Sequence, residues 1–258
     1  TGSPLSPEGF AYVYENISPS AHLASISGGT DICGCFMLGV PNMPVYAGQI
    51  QGPALGLDVQ VFSEDGRIAE VGVKGELICR NTFPSVPLYF WDDASGKKFR
   101  SAYFEGFSDV WTHGDFVEKT AEGGYVMHGR SDATLNAGGV RIGTAEIYRI
   151  TEKFTEIIES LAIAQNWEGD TRVVLFVKMA EGKVLSTGLI EELKLALKQK
   201  ASPRHVPSII MQAPDFPRTR SAKLVEIAVA NAINEVENTN LGSLANPESL
   251  DWFKDLNL

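Results

Sequence analysis

The sequence is poor in the residues that staple or metallate a small protein. Its three cysteines, Cys33, Cys35 and Cys79, cannot close a disulfide framework, and Cys33-Gly34-Cys35 has no ligand companions close in sequence. They read as small, inert thiols. The four histidines, His22, His113, His128 and His205, show no His-x-x-x-His or similar pairing, so no metal centre is built from them. Long apolar runs are missing too: residues 173–177 are among the longest, far short of the roughly 20 residues a membrane span needs. The start, Thr1-Gly2-Ser3-Pro4, resembles no signal peptide. Positive charge is scarce, with 22 Lys and Arg against 32 Asp and Glu, and the net charge of −10 argues against a broad nucleic-acid or anionic-membrane surface. The expectation is a cytosolic protein with neither nucleic acid nor membrane as a partner.

What is present is ordinary globular material: 44% hydrophobic and 21% charged residues over 258 positions, enough for one large or two medium domains. The first half reads as strands and turns. Short runs at 57–62 and 76–79 are separated by Gly, Pro, Asn and Asp, and Glu122-Gly123-Gly124 predicts a hairpin joining 115–119 to 125–128. The second half alternates differently. Ile147, Ile150, Phe154, Ile157, Ile158 and Leu161 recur at spacings of three and four, which predicts an amphipathic helix of about four turns. A buried strand follows at 172–179, then a helix at 188–200 with Glu191 and Glu192 early and Lys194, Lys198 and Lys200 late, an order that suits the helix dipole. A last helix is expected over 222–236, and the tail from Asn238 is expected to pack loosely apart from Leu250, Trp252 and Phe253. The change of character near 129–132 marks a boundary between a β-rich part and an α+β part.

Four segments carry chemistry. Residues 129–143 set charged side chains and a double glycine, Gly138-Gly139, ahead of the amphipathic helix, where glycines permit close backbone approach by a ligand. In Trp111-Thr112-His113-Gly114-Asp115 a carboxylate offers two oxygens to a sugar diol. Pro217-Arg218-Thr219-Arg220-Ser221-Ala222-Lys223 concentrates three cations before a predicted helix start, where a bound anion would reconcile them with the dipole. Ser27-Gly28-Gly29-Thr30-Asp31 offers a hydroxyl for phosphate and a carboxylate for Mg²⁺, which favours oxygen ligands. Singly, each has an everyday alternative: a glycine loop, a turn, a solvated basic loop, a common Thr-Asp pair.

In this order and spacing the four segments resemble the adenylate-forming superfamily of acyl-CoA synthetases, luciferases and peptide-synthetase adenylation domains, over nearly the whole chain. The resemblance implies an α+β fold: residues 1–131 as the β-rich C-terminal portion of a large adenylation domain, and 132–258 as a small mobile domain with a catalytic lysine. It implies ATP, CoA and a short-chain acid as substrates, with Mg²⁺. Gly2, Ser3 and Pro4 would correspond to the adenine-side turn, Thr30 to the α-phosphate contact and Asp31 to the metal ligand, with Asp replacing the usual Glu. Asp115 would bind both ribose hydroxyls and Arg130 the nucleotide. Asp132 would be the hinge, Gly138 and Gly139 would line the pantetheine tunnel, Arg141 would lie near phosphate and Lys198 near the CoA nucleotide. Lys223 would be the adenylation lysine, with Ala222 where the family usually has Gly.

Within the superfamily the resemblance is nearest to the acetoacetate-activating branch, on the segments 27–31, 138–149, 202–207 and 243–250. Acetate-activating relatives carry bulky tryptophans where this chain has Ser27 and Gly28, so small residues imply room for a longer acyl group. The superfamily's Ser/Thr/Gly-rich phosphate loop does not occur in the sequence. The expectation is therefore a C-terminal fragment, inactive alone, whose partner is the missing N-terminal part of the same polypeptide. A ligase for acetate, propionate or a branched acid, and a non-catalytic nucleotide-binding module, are the alternatives. No Gly-x-Gly-x-x-Gly follows a predicted strand, which disfavours a nicotinamide dehydrogenase.

Overall fold

Short apolar runs punctuated by turn residues build antiparallel sheets in the first half of the chain. A computed structural model describes residues 1–137, 140–238, 241–256 and 258, which divide into two units, Thr1–Ser131 and Asp132–Leu258.

In the first unit, α1 (Pro7–Asn16) is capped by the Ser6 hydroxyl, which accepts from the Gly9 amide. A small sheet follows from β1 (Ser27–Gly29), β2 (Gly34–Leu38) and β3 (Gly52–Pro53). A second sheet runs β4 (Val59–Phe62), β5 (Lys74–Cys79), β6 (Trp111–Lys119) and β7 (Tyr125–Arg130), all antiparallel neighbours, with α2 (Lys97–Tyr103) in the connection before β6. The predicted hairpin is present as β6–β7, with Thr120 and Gly124 closing its turn. Phe36, Met37, Val59, Val61, Leu77, Trp111 and Val117 form its core. Both pairings of β6 shift register, between Glu76 and Ile78 on β5 and between Phe116 and Val117 against β7. Such irregularities re-aim side chains, and these flank Asp115.

The second unit opens with a hairpin, β8 (Leu135–Ala137) and β9 (Val140–Ile142), and α3 (Thr144–Thr151). A three-stranded sheet follows: β10 (Ile157–Trp167) antiparallel to β11 (Asp170–Met179), and β12 (Ile209–Gln212) parallel to β11. The helices are α4 (Thr187–Lys200), α5 (Glu226–Ile233) and α6 (Ser249–Lys254). On β11, Val173, Leu175 and Val177 face one core with Ile147, Ile150, Leu193 and Leu197, while Val174 and Phe176 face another with Val229, Leu250 and Phe253. A strand covered on both faces reads as a continuous apolar run, which is why 172–179 was legible.

Three expectations need correction. The four-turn helix ends at Thr151, and Ile157, Ile158 and Leu161 belong to β10. Their spacing fits a helix, but Ile157-Ile158 is a β-branched pair and a strand buried on both faces shows no alternation to reveal it. The hairpin that follows turns on Glu168 and Gly169, both at positive φ (50° and 81°), the backbone a two-residue turn demands. The last helix spans only Glu226–Ile233, because Leu224 bridges back to Arg218 and draws the preceding residues into a turn. The tail is tied more firmly than expected: Leu244 is buried and bridges Thr219, and Asn246 bonds both the Arg218 amide (2.8 Å) and the Phe216 carbonyl (2.9 Å).

Candidate functional site

On β6, Trp111, His113 and Asp115 are all buried, and His113 lies within reach of both of the others. Asp115 is 7% exposed, a costly place for a carboxylate unless it is hydrogen-bonded. It is: the Ser27 hydroxyl on β1 donates to Oδ2 at 2.7 Å, and Arg130, its cross-strand partner on β7, donates to Oδ1 at 3.3 Å. Arg130 also donates to the His113 carbonyl at 3.0 Å. Gly114 between them has φ +80°, and a Cβ there would lie 2.3 Å from the Arg130 guanidinium, so only glycine lets Arg130 lie across the strand. Its amide donates to Glu76 Oε1 at 2.7 Å, which pins the irregular segment to β5.

His113 is held neutral, its pKa lowered by burial against the opposing pull of Asp115. Trp111 Nε1 donates to its Nδ1 at 3.4 Å, which puts the ring proton on Nε2, 3.7 Å from Asp115 Oδ2. Tyr103, at the end of α2, stacks on Trp111 with ring centroids 3.7 Å apart and donates from its hydroxyl to Asp31 Oδ2. Burial, then the Asp31 carboxylate, push the Tyr103 phenol well above its ordinary range, so it remains a donor. Ser27, Asp31, Asp115 and Arg130 thus form one polar cluster, built out by His113 and Tyr103.

The other sequence-derived residues of this unit stand apart. Thr30 is exposed in the turn after β1, and Gly2, Ser3 and Pro4 are exposed ahead of α1, with no hydrogen bond to the cluster among the described residues. Asp31 is exposed, and Tyr103 engages one of its oxygens; the other makes no protein hydrogen bond among the described residues. A single open carboxylate oxygen fits Mg²⁺, which usually takes one or two carboxylates and fills its shell with water and phosphate. Gly28 corrects the size argument: a Cβ there would sit 2.0 Å from the Gly34 carbonyl oxygen, so its smallness serves the close approach of β2. Ser27 alone carries the comparison with tryptophan.

In the second unit, Asp132 is exposed at the first position. Gly138 and Gly139 lie outside the described residues. Arg141 on β9 donates to the Thr134 hydroxyl at 3.4 Å, and Lys198 is exposed on α4. Lys223 is exposed and forms no ion pair among the described residues. The three cations of its segment do not act alike: Arg218 is ion-paired with Glu159 of β10, whereas Arg220 and Lys223 project into solvent. None stands in the first turn of α5, which begins instead with Glu226, as the helix dipole favours. Behind the turn, Glu226 accepts from Thr144 (3.2 Å) and Tyr148 (3.0 Å), and burial raises its pKa above the ordinary 4.5.

His113, Tyr103, Glu159 and Glu226 were missed by sequence reasoning. A period-two reading of 111–115 finds His113; nothing local announces the others.

No family model matches the chain. It is similar to an acetoacetyl-coenzyme A synthetase of Rhizobium meliloti, 56% identical over 256 residues, which covers 99% of this chain and 39% of the relative. An acetoacetyl-CoA synthetase of Xenopus tropicalis is 45% identical over 258 residues, 99% of this chain and 38% of that one. Among solved structures, the acetoacetyl-CoA synthetase from Streptomyces lividans superposes with a TM-score of 0.88 at 37% identity, over 98% of this chain and 39% of that chain. The chain therefore spans about 39% of the length of the first of these curated relatives.

Proposed function

We propose, from the premise that this chain belongs to the adenylate-forming acyl-CoA synthetases, that it is the C-terminal part of an acetoacetate–CoA ligase. It supplies that enzyme's ribose-binding wall and its moving lysine. The observation that carries the reading is Asp115, a buried carboxylate held in place by Ser27 and Arg130. Fixed acceptors of this kind suit a vicinal diol.

Asp115 accepts the two ribose hydroxyls of ATP, Arg130 adds a second nucleotide contact, and Gly2-Ser3-Pro4 forms the adenine-side turn. The Thr30 hydroxyl donates to the α-phosphate. Asp31, steadied by Tyr103, would hold Mg²⁺, which neutralises phosphate charge when bound. A carboxylate oxygen of acetoacetate attacks the α-phosphorus, and the bond to pyrophosphate breaks. Such transfer depends on position and charge compensation, and Lys223 brings the positive charge. The unit then turns about Asp132, which withdraws Lys223 and brings Gly138 and Gly139 alongside pantetheine, with Arg141 and Lys198 toward the phosphates of CoA. The CoA sulfur attacks the acyl carbonyl, its proton goes to solvent, and the bond to AMP breaks.

Acetoacetate as the acid is supported by the extent of likeness to acetoacetyl-CoA synthetases across the whole chain. The full-length ligase, assayed with acetoacetate, acetate, propionate and a branched acid, is expected to show its highest kcat/KM with acetoacetate. A pocket separates neighbouring sizes by roughly 1–3 kcal/mol per methylene, so a higher kcat/KM for acetate or propionate would transfer the assignment to that acid. The 258-residue chain alone is expected to form no acyl-CoA.

A further inference from the structure

Lys223 sits in a turn whose backbone is fixed in unusual detail. Residues 218 and 224 bridge as an antiparallel pair, the Thr219 amide donates to the Lys223 carbonyl at 2.9 Å, and the Ala222 amide donates to the Thr219 carbonyl at 2.9 Å. Ala222 lies in the left-handed region at φ +63°, a conformation unfavourable for a non-glycine residue that needs outside support.

That support converges on one peptide group, the link between Ala222 and Lys223. Its carbonyl oxygen accepts from Arg218 Nη1 at 3.1 Å, and its amide donates to the Thr219 hydroxyl at 3.1 Å. Arg218 is itself anchored: its Nη2 donates to Glu159 of β10, its amide donates to Asn246 at 2.8 Å, and its carbonyl accepts from the Ala245 amide at 2.8 Å. A planar guanidinium can hold two acceptors at a fixed spacing, here a sheet carboxylate and a turn carbonyl, which an ammonium cannot reproduce. Glu159 also offsets the charge of Arg218, so the exposed cation nearest the turn's end is Lys223.

We infer that Arg218, with Thr219, is a positioning residue for Lys223: it does not touch substrate but ties the Ala222–Lys223 peptide to the central sheet. The inference rests on the proposed role of Lys223 in adenylation, and it specifies how that lysine is aimed. Misplacing a reacting group by about 1 Å can cost on the order of 100-fold in rate.

The test uses the full-length ligase and measures its half-reactions separately. Arg218→Ala is expected to lower the kcat of ATP–pyrophosphate exchange by about 10- to 100-fold. The KM for ATP should stay within about twofold, and CoA thioester formation from a synthetic acyl-adenylate should be unchanged, because uniform binding is untouched. Arg218→Lys should recover only part of the exchange rate. Glu159→Gln, which still accepts from Arg218, should keep most of it. Should Arg218→Ala not fold, Thr219→Val removes the second hold on the same peptide and is expected to give the same split.

Full exchange in Arg218→Ala, or in Thr219→Val where that variant is the one read, overturns the inference. So does an equal loss in both half-reactions, which would mark a merely structural role, or a raised KM at unchanged kcat, which would mark a direct contact with ATP. A Lys223→Ala control that retained exchange would instead refute the role of the lysine.

Discussion

The two units solve opposite problems with charged side chains. Around Asp115 the carboxylate is buried and its oxygens are held by Ser27 and Arg130 before any ligand arrives. Around Lys223 the cation is exposed and without an ion pair among the described residues, and the protein fixes the backbone beneath it. A group that reads a ligand gains from a rigid, satisfied pocket. On the proposed role of Lys223, a group that arrives and leaves gains from a rigid base and a free head. Both are preorganised, one at the side chain and one at the peptide.

The comparison breaks most visibly at the carboxylate. Asp115→Ala in the full-length ligase should raise the KM for ATP by about 10- to 100-fold, the loss of charged hydrogen bonds worth roughly 1.5–3 kcal/mol, with a smaller change in kcat. Steady-state kinetics at varied ATP checks it; an unchanged KM would remove Asp115 from the nucleotide site.

A smaller effect, on stability, should follow at the same pocket. Gly114→Ala forces a side chain onto left-handed backbone and against the Arg130 guanidinium, and should destabilise by roughly 1–2 kcal/mol or more in chemical denaturation. Equal stability would mean that Arg130 moves aside at no cost.

The gentlest test is at the base of the lysine turn. Glu226 has a folded-state pKa raised above 4.5 by burial, so its contribution to stability is complete below about pH 4.5 and is lost as the pH rises through the raised value. Glu226→Gln keeps an acceptor for Tyr148 and Thr144 and should flatten the dependence of stability on pH above 4.5. Denaturation midpoints measured from pH 4 to 8 would show it; parallel curves for the two proteins would contradict it.

What the sequence disclosed follows from the range of the interactions. Asp115, Arg130 and Lys223 could be singled out because each sits in a local segment of distinctive residue types. The β6–β7 hairpin and the doubly covered strand β11 were found because period and turn chemistry are local as well. The support was not legible: Ser27 meets Asp115 across 88 positions, Tyr103 meets Asp31 across 72, and Arg218 meets Glu159 across 59. Those pairings exist only once the sheets are assembled. The misreading of 157–161 as helix has the same origin, since pairing with β11 decided what the spacing of the apolar residues alone could not.

The most direct test of a fixed reader and a moving cation is Lys223→Ala in the full-length ligase, with each half-reaction followed on its own. ATP–pyrophosphate exchange should fall by about 10²- to 10³-fold, while thioester formation from a synthetic acyl-adenylate and CoA should proceed at the unmodified rate. Loss of both half-reactions together, or retention of exchange, would contradict the account.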